Sequence, residues 1–104
     1  MSYPSQSDLD RVKKWNEKDG GHMALVYFLD EIWNKDYGAV EIRDVALDEH
    51  QEGESYKEVR FITGGWSGNE DIISALIGTW FYHVCWESSH RGGMMIFHVP
   101  RSST

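Results

Sequence analysis

One cysteine, Cys85, stands in a chain of 104 residues. An internal disulfide is therefore excluded, which fits a reducing compartment. No stretch approaches the ~18 consecutive apolar residues of a membrane-spanning helix, and the opening MSYPSQSD has no apolar signal core. Basic residues are scarce: ten Lys and Arg stand against seventeen Asp and Glu, for a formal net charge of −7. A protein that works on the phosphate backbone of nucleic acid needs a basic face, so this balance argues against that class. No internal repeat, low-complexity tract or cofactor motif is present. The expectation is a soluble, cytoplasmic single domain over residues 1–104, with residues 1–6 as a tail and neither membrane nor cofactor attached.

What is abundant is aromatic. Five Trp, five Tyr and four Phe make up 13% of the chain, and each supplies a large area to bury. The hydrophobic period divides the sequence. Leu9, Val12 and Trp15 recur at a spacing of three behind Ser7, a candidate N-cap, which predicts a first helix from Asp8 to the Gly20-Gly21 pair. Leu25, Phe28, Leu29, Ile32 and Trp33 follow the i, i+3, i+4, i+7, i+8 pattern of a second helix, His22 to Asp36. The period then changes. Ala39–Leu47 predicts a strand with an irregularity near Asp44, and 48–55 an acidic loop. Tyr56–Thr63 predicts a second strand, with Val59 and Phe61 on one face.

The stretch RFITGGWSGNE, residues 60–70, reads as that strand running into a glycine turn and a helix start. Ser67 and Glu70 have capping-box spacing, with Asn69 a competing cap, and Ile72, Ile73, Leu76 and Ile77 form the apolar face of a short helix over 70–77. Residues 80–88, WFYHVCWES, read as a strand returning through Ser89-His90-Arg91-Gly92 into a partner over 93–99. A four-residue loop would pair Trp86 with Met95, Val84 with Phe97 and Tyr82 with Val99. The expected fold is α+β, order ααββαββ, with a four-stranded, mainly antiparallel sheet and helices on one face. If the strands ending at Thr63 and Ser88 run parallel, both glycine turns lie at one end of the sheet.

That end would carry the candidate ligand-binding residues: Trp66, Ser67, Asn69, Ser88, Ser89, His90 and Arg91. They offer a stacking surface, hydroxyls, an amide and a cation, a kit for a polar small molecule. The structural alternative is that the glycines only shape turns, Trp66 packs on the core and Ser67 caps. Glu70 and Asp71 already occupy the positive end of the helix dipole, which weakens an anion site. A nucleophile at Ser67 would resemble G-x-S-x-G, but Asn69 replaces the second glycine. An enzyme reading would be a small hydrolase or nucleotide-modifying enzyme using Ser67, His90 or Glu87. His83, Cys85 and His98 fall on one predicted face, yet no zinc-type spacing supports a metal there. The acidic residues Asp48, Glu49, Glu52 and Glu54 could dock on a basic host protein, or be plain solvated loop. Finally, Phe81, Cys85, Ile96, Ile62 and Tyr56 on the second sheet face form a partly apolar patch that needs cover. Either the first helices or a second protomer supplies it, and the homodimer is the preferred expectation.

Two strings, Thr63 to Glu70 (TGGWSGNE) and Cys85 to Gly93 (CWESSHRGG), resemble those of a family of small uncharacterised bacteriophage and prophage proteins. The likeness spans about residues 59–99. The family pattern has two basic residues before the second glycine pair, so His90 is a departure that weakens a cationic role there at neutral pH. The resemblance implies a phage-encoded protein of the host cytoplasm, and it carries no activity with it.

Overall fold

The computed structural model describes residues 4–46 and 55–100; the acidic run 48–54 lies outside them. Helix α1 spans Gln6–Lys13 and helix α2 Gly21–Ile32, with a 3₁₀ turn at Glu17–Asp19 between them. Strands β1 (Ala39–Val45) and β2 (Tyr56–Ile62) follow, then helices α3 (Ser67–Leu76) and α4 (Trp80–Cys85), and strands β3 (Trp86–His90) and β4 (Met94–Pro100). The fold is α+β with the expected order of elements apart from the added helix α4 before β3, and the four strands form one antiparallel sheet, β1-β2-β4-β3.

Helices occupy one face of that sheet. Val59 and Phe61 of β2 and Phe97 and Val99 of β4 alternate towards it, and all four are fully buried. They join Val12, Leu25, Val26, Leu29, Ile72, Leu76, Phe81 and Cys85 in one core. Each large apolar side chain of that kind contributes about 1.5–3 kcal/mol on burial. Phe97 is the hub for the aromatics: it lies 5.6 Å from Phe61, 4.9 Å from Phe81 and 5.8 Å from Tyr82, centroid to centroid.

Several local expectations are corrected. Ser5, not Ser7, caps α1: its hydroxyl accepts from Asp8 N–H at 3.0 Å while the Asp8 carboxylate accepts from Ser5 N–H. Ser5 and Gln6 thus belong to the helix and not to a tail. Helix α2 stops at Ile32, because Trp33 turns extended and donates its indole N–H to Ile62 C=O at 3.0 Å. β1 pairs with β2 through seven residues without irregularity.

The largest correction concerns residues 80–85, which are helical. Gly78, at φ +94°, closes the preceding helix. Thr79 then caps α4, donating to Leu76 C=O at 2.6 Å and accepting from Tyr82 N–H at 3.1 Å. Phe81 and Cys85, one turn apart, both enter the core. The register shifts accordingly. Trp86 faces Phe97, and Ser88, Ser89 and His90 face Ile96, Met95 and Met94. A three-residue turn, Arg91–Gly93, joins the strands, and a bulge between Trp86 and Ser88 restores the faces that the odd loop would otherwise exchange.

Candidate functional site

β2 and β3 both pair antiparallel with β4, so they run parallel to each other on either side of it. Their last residues, Ile62 and His90, face the same residue, Met94. The two glycine turns therefore emerge at one end of the sheet. They are also joined: Thr63 N–H donates to Gly93 C=O at 3.0 Å. A β-carbon on Gly93 would stand 2.1 Å from the Thr63 hydroxyl oxygen, so only glycine permits this approach.

A cleft of about 300 Å³ opens beside this junction. Glu70, Ile73 and Ser74 of α3 form one wall; Ser89, His90, Met94 and Met95 of the β3–β4 hairpin form the other, with Thr63 and Gly93 between. Its chemistry is mixed. Glu70 supplies a carboxylate, His90 an imidazole, and Thr63, Ser74 and Ser89 hydroxyls, while Ile73 and the two methionines make apolar, adaptable surface.

The residues expected to form a site divide. Ser89 and His90 line the cleft; Ser89 also accepts from the Trp86 indole N–H at 3.0 Å. Ser88 Oγ lies 2.9 Å from His90 Nε2 and holds that ring. Arg91 is exposed in the adjoining turn. Trp66 and Ser67 do not line the cleft. The Trp66 ring stacks on Tyr37, 5.0 Å between centroids and 9° from parallel. Trp66 also occupies the N-cap position of α3, where no side chain caps, and Ser67 is the first helical residue. The capping box expected of Ser67 and Glu70 is therefore absent, because the helix starts one residue earlier than that pair requires.

Asn69 is structural. It is 1% exposed. Its Oδ1 accepts from Asn34 N–H at 2.8 Å, and its Nδ2 donates to Asn34 C=O at 3.1 Å and Thr63 C=O at 3.2 Å. One amide thereby ties the end of α2, the end of β2 and the start of α3. Backbone approach reinforces the tie, since a β-carbon on Gly38 would meet Ile62 C=O at 2.0 Å.

The face of the sheet away from the helices is charged at its centre. Glu58 is 9% exposed. It accepts from Arg60 Nε at 2.8 Å and Arg43 Nη2 at 3.3 Å, and His98 Nε2 lies 3.6 Å away. The Arg60 hydrogen bond, helped by the nearby positive charges, holds the Glu58 carboxyl below its ordinary value of 4.5 against the opposing effect of burial. Tyr56 stacks on His98 at 4.4 Å. Phe81 and Cys85 are absent from this face, being core residues of α4, so the apolar patch expected there is reduced to Ile62, Ile96 and Tyr56, each half-buried. The predicted grouping of His83, Cys85 and His98 is dispersed: His83 is exposed on α4, Cys85 buried, and His98 opposite Glu58. Among the described residues no cluster of three metal-ligating side chains occurs. Burial pushes the Cys85 thiol up to about 11, which leaves it un-ionised and unreactive.

Thr63, Glu70, Ser74, Met94 and Met95 escaped the sequence reading as site residues. Only the i, i+4 spacing of Glu70 and Ser74, on the helix that follows the first glycine turn, hinted at their shared wall. Among the described residues no helix is long and apolar enough to cross a membrane. No family model, curated protein or solved structure matches the chain.

Proposed function

We propose that this chain is a small non-enzymatic binding protein, phage-derived as the sequence resemblance implies, that captures a polar small molecule or host component at the two glycine turns. The supporting observation is the cleft where the turns meet, with hydroxyls, one carboxylate and one imidazole placed around apolar surface. Such a lining suits a molecule bearing hydroxyl or amino groups on an apolar body, and Glu70 favours a cationic group over an anion. Catalysis is the weaker reading. The Ser88–His90 pair is a short-range contact on one exposed strand, and no carboxylate among the described residues hydrogen-bonds to that imidazole to orient it. Native mass spectrometry of freshly purified protein tests the proposal. A retained small molecule should be lost in Ser74→Trp, which fills the cleft from an exposed helix position. Retention of the same molecule by that variant would place the binding elsewhere.

A second reading is favoured by a separate observation. Ile77 and Trp80, the latter 69% exposed, line a groove of about 380 Å³ at α4 together with Tyr82 and His83, and Val84 and Trp86 further along the chain are exposed as well. An apolar, aromatic surface of this kind suits a protein module that docks on and inhibits a host protein. Growth inhibition on expression in bacteria that is relieved by Trp80→Ala but not by Ser74→Trp would select this reading; the opposite pattern selects the cleft.

A further inference from the structure

The two edges of the sheet are unlike. β3 has five residues and a bulge, both devices that blunt an edge against further pairing. β1 has seven residues, a continuous ladder to β2 and no proline. Its row on the helix side is Val40, Ile42 and Asp44, and its row on the other side includes Glu41 and Arg43. Lys57 takes up Asp44. Ile42 is 37% exposed although it lies on the helix side, because the helices do not cover this margin.

From these features we infer that β1 pairs antiparallel with β1 of a second copy, extending the four strands to a continuous eight-stranded sheet. The charge order selects the partner and the register. Full-length pairing of Ala39–Val45 puts Ile42 on the two-fold axis against its own counterpart. Glu41 then faces Arg43 of the second copy, and the same pair recurs across the axis. A slip of two residues sets either Glu41 against Glu41 or Arg43 against Arg43. A slip of one sends the side chains to opposite faces. The centred register is thus favoured by two opposite-charge pairs, and its neighbours are penalised by like charges. It also covers the exposed Ile42 with its own copy. The interface is independent of the glycine-turn cleft, which lies between α3 and the β3–β4 hairpin.

Disulfide trapping of the full chain tests this. Facing Cα atoms in an antiparallel ladder are about 4.5–5.5 Å apart, within the span a disulfide bridges. Ile42→Cys should therefore cross-link to a dimer under mild oxidation. Asp44→Cys should not, because its counterpart lies four residues along the ladder, roughly 13 Å away. Cys85 is buried and stays out of the reaction. Sedimentation equilibrium should show a dimer of the unmodified chain, weakened at least about tenfold by Glu41→Arg, with the fold of that variant checked by its melting curve. A chain that stays monomeric at its highest soluble concentration, or cross-linking of Asp44→Cys as fast as of Ile42→Cys, overturns the inference.

Discussion

Asn69→Ala should destabilise the fold far more than its place at the start of a helix suggests. The substitution deletes three hydrogen bonds in a site 1% exposed. At a net ~1 kcal/mol each, the loss is about 3 kcal/mol. The accounting can be refined by asking what each former partner has left. Asn34 C=O still accepts from Gly38 N–H at 3.0 Å, and Thr63 C=O still accepts from Trp66 N–H at 3.1 Å. Asn34 N–H alone is stranded, and a buried orphan of that kind costs about 1–3 kcal/mol, consistent with the sum. For a domain of this size, 3 kcal/mol lowers the melting temperature by roughly 12–24 °C. Thermal unfolding followed by circular dichroism measures it. Asn69→Asp supplies a sharper check. Its carboxylate can still accept from Asn34 N–H but faces two carbonyl oxygens where the amide donated. Such a group has its folded pKa raised, so its stabilising, protonated form is fully present below the unfolded value and is lost as pH rises through the folded one. Asn69→Asp should therefore be the least stable of the three proteins at pH 7 and should regain ground on acidification. A shift below about 5 °C for Asn69→Ala, or an Asn69→Asp protein indifferent to pH, would refute the assignment of Asn69 as the clasp.

Two further outcomes follow from the same structure. Gly64 and Gly65 are adjacent with similar φ, +63° and +75°, but a β-carbon on Gly64 would stand 1.6 Å from Tyr37 C=O whereas Gly65 faces open space. Gly65→Ala should cost only the left-handed penalty of about 1–2 kcal/mol, and Gly64→Ala clearly more; equal urea midpoints would contradict the close approach. Glu58 has a lowered carboxyl pKa, so its contribution is present above about 4.5 and is lost as pH falls through the lowered value. Glu58→Gln should be less stable than the parent at pH 7, and the gap should close towards pH 3 in paired melts. A gap constant with pH would show that the arginines contribute no charge-dependent stability there.

How much of this was legible in the sequence depends on the range of the signal. The second helix, both central strands and the α+β class rest on apolar period, which is local, and they were readable. The helix at 80–85 was hidden because WFYHVC satisfies two periods at once. Read in twos it gives a strand. Read in fours, Phe81 and Cys85 share a helix face, and Thr79 after Gly78 has the residue types of a helix stop followed by a helix cap. The tie-breaker was the cap chemistry, not the hydrophobicity. Once those six residues coil, the β3–β4 hairpin must begin later, its turn shortens to three residues, and a bulge in β3 becomes necessary to keep Trp86 on the same face as Phe97. One misread cap therefore propagates into the whole hairpin register.

Asn69 was illegible for a different reason. An asparagine three residues into a helix reads as a cap because its available partners in sequence are its neighbours. Its main partner in space, Asn34, is 35 residues away. The same holds for the candidate site. Glu70 and Ser74 gain meaning only when β4 is inserted between β2 and β3, which makes those strands parallel and brings Ser89 and His90 to α3. The sequence could frame the question whether the two glycine turns meet. Strand order answers it: Ser74 and Met95 line the cleft beside the joined turns, while Trp66 stacks on Tyr37 outside it.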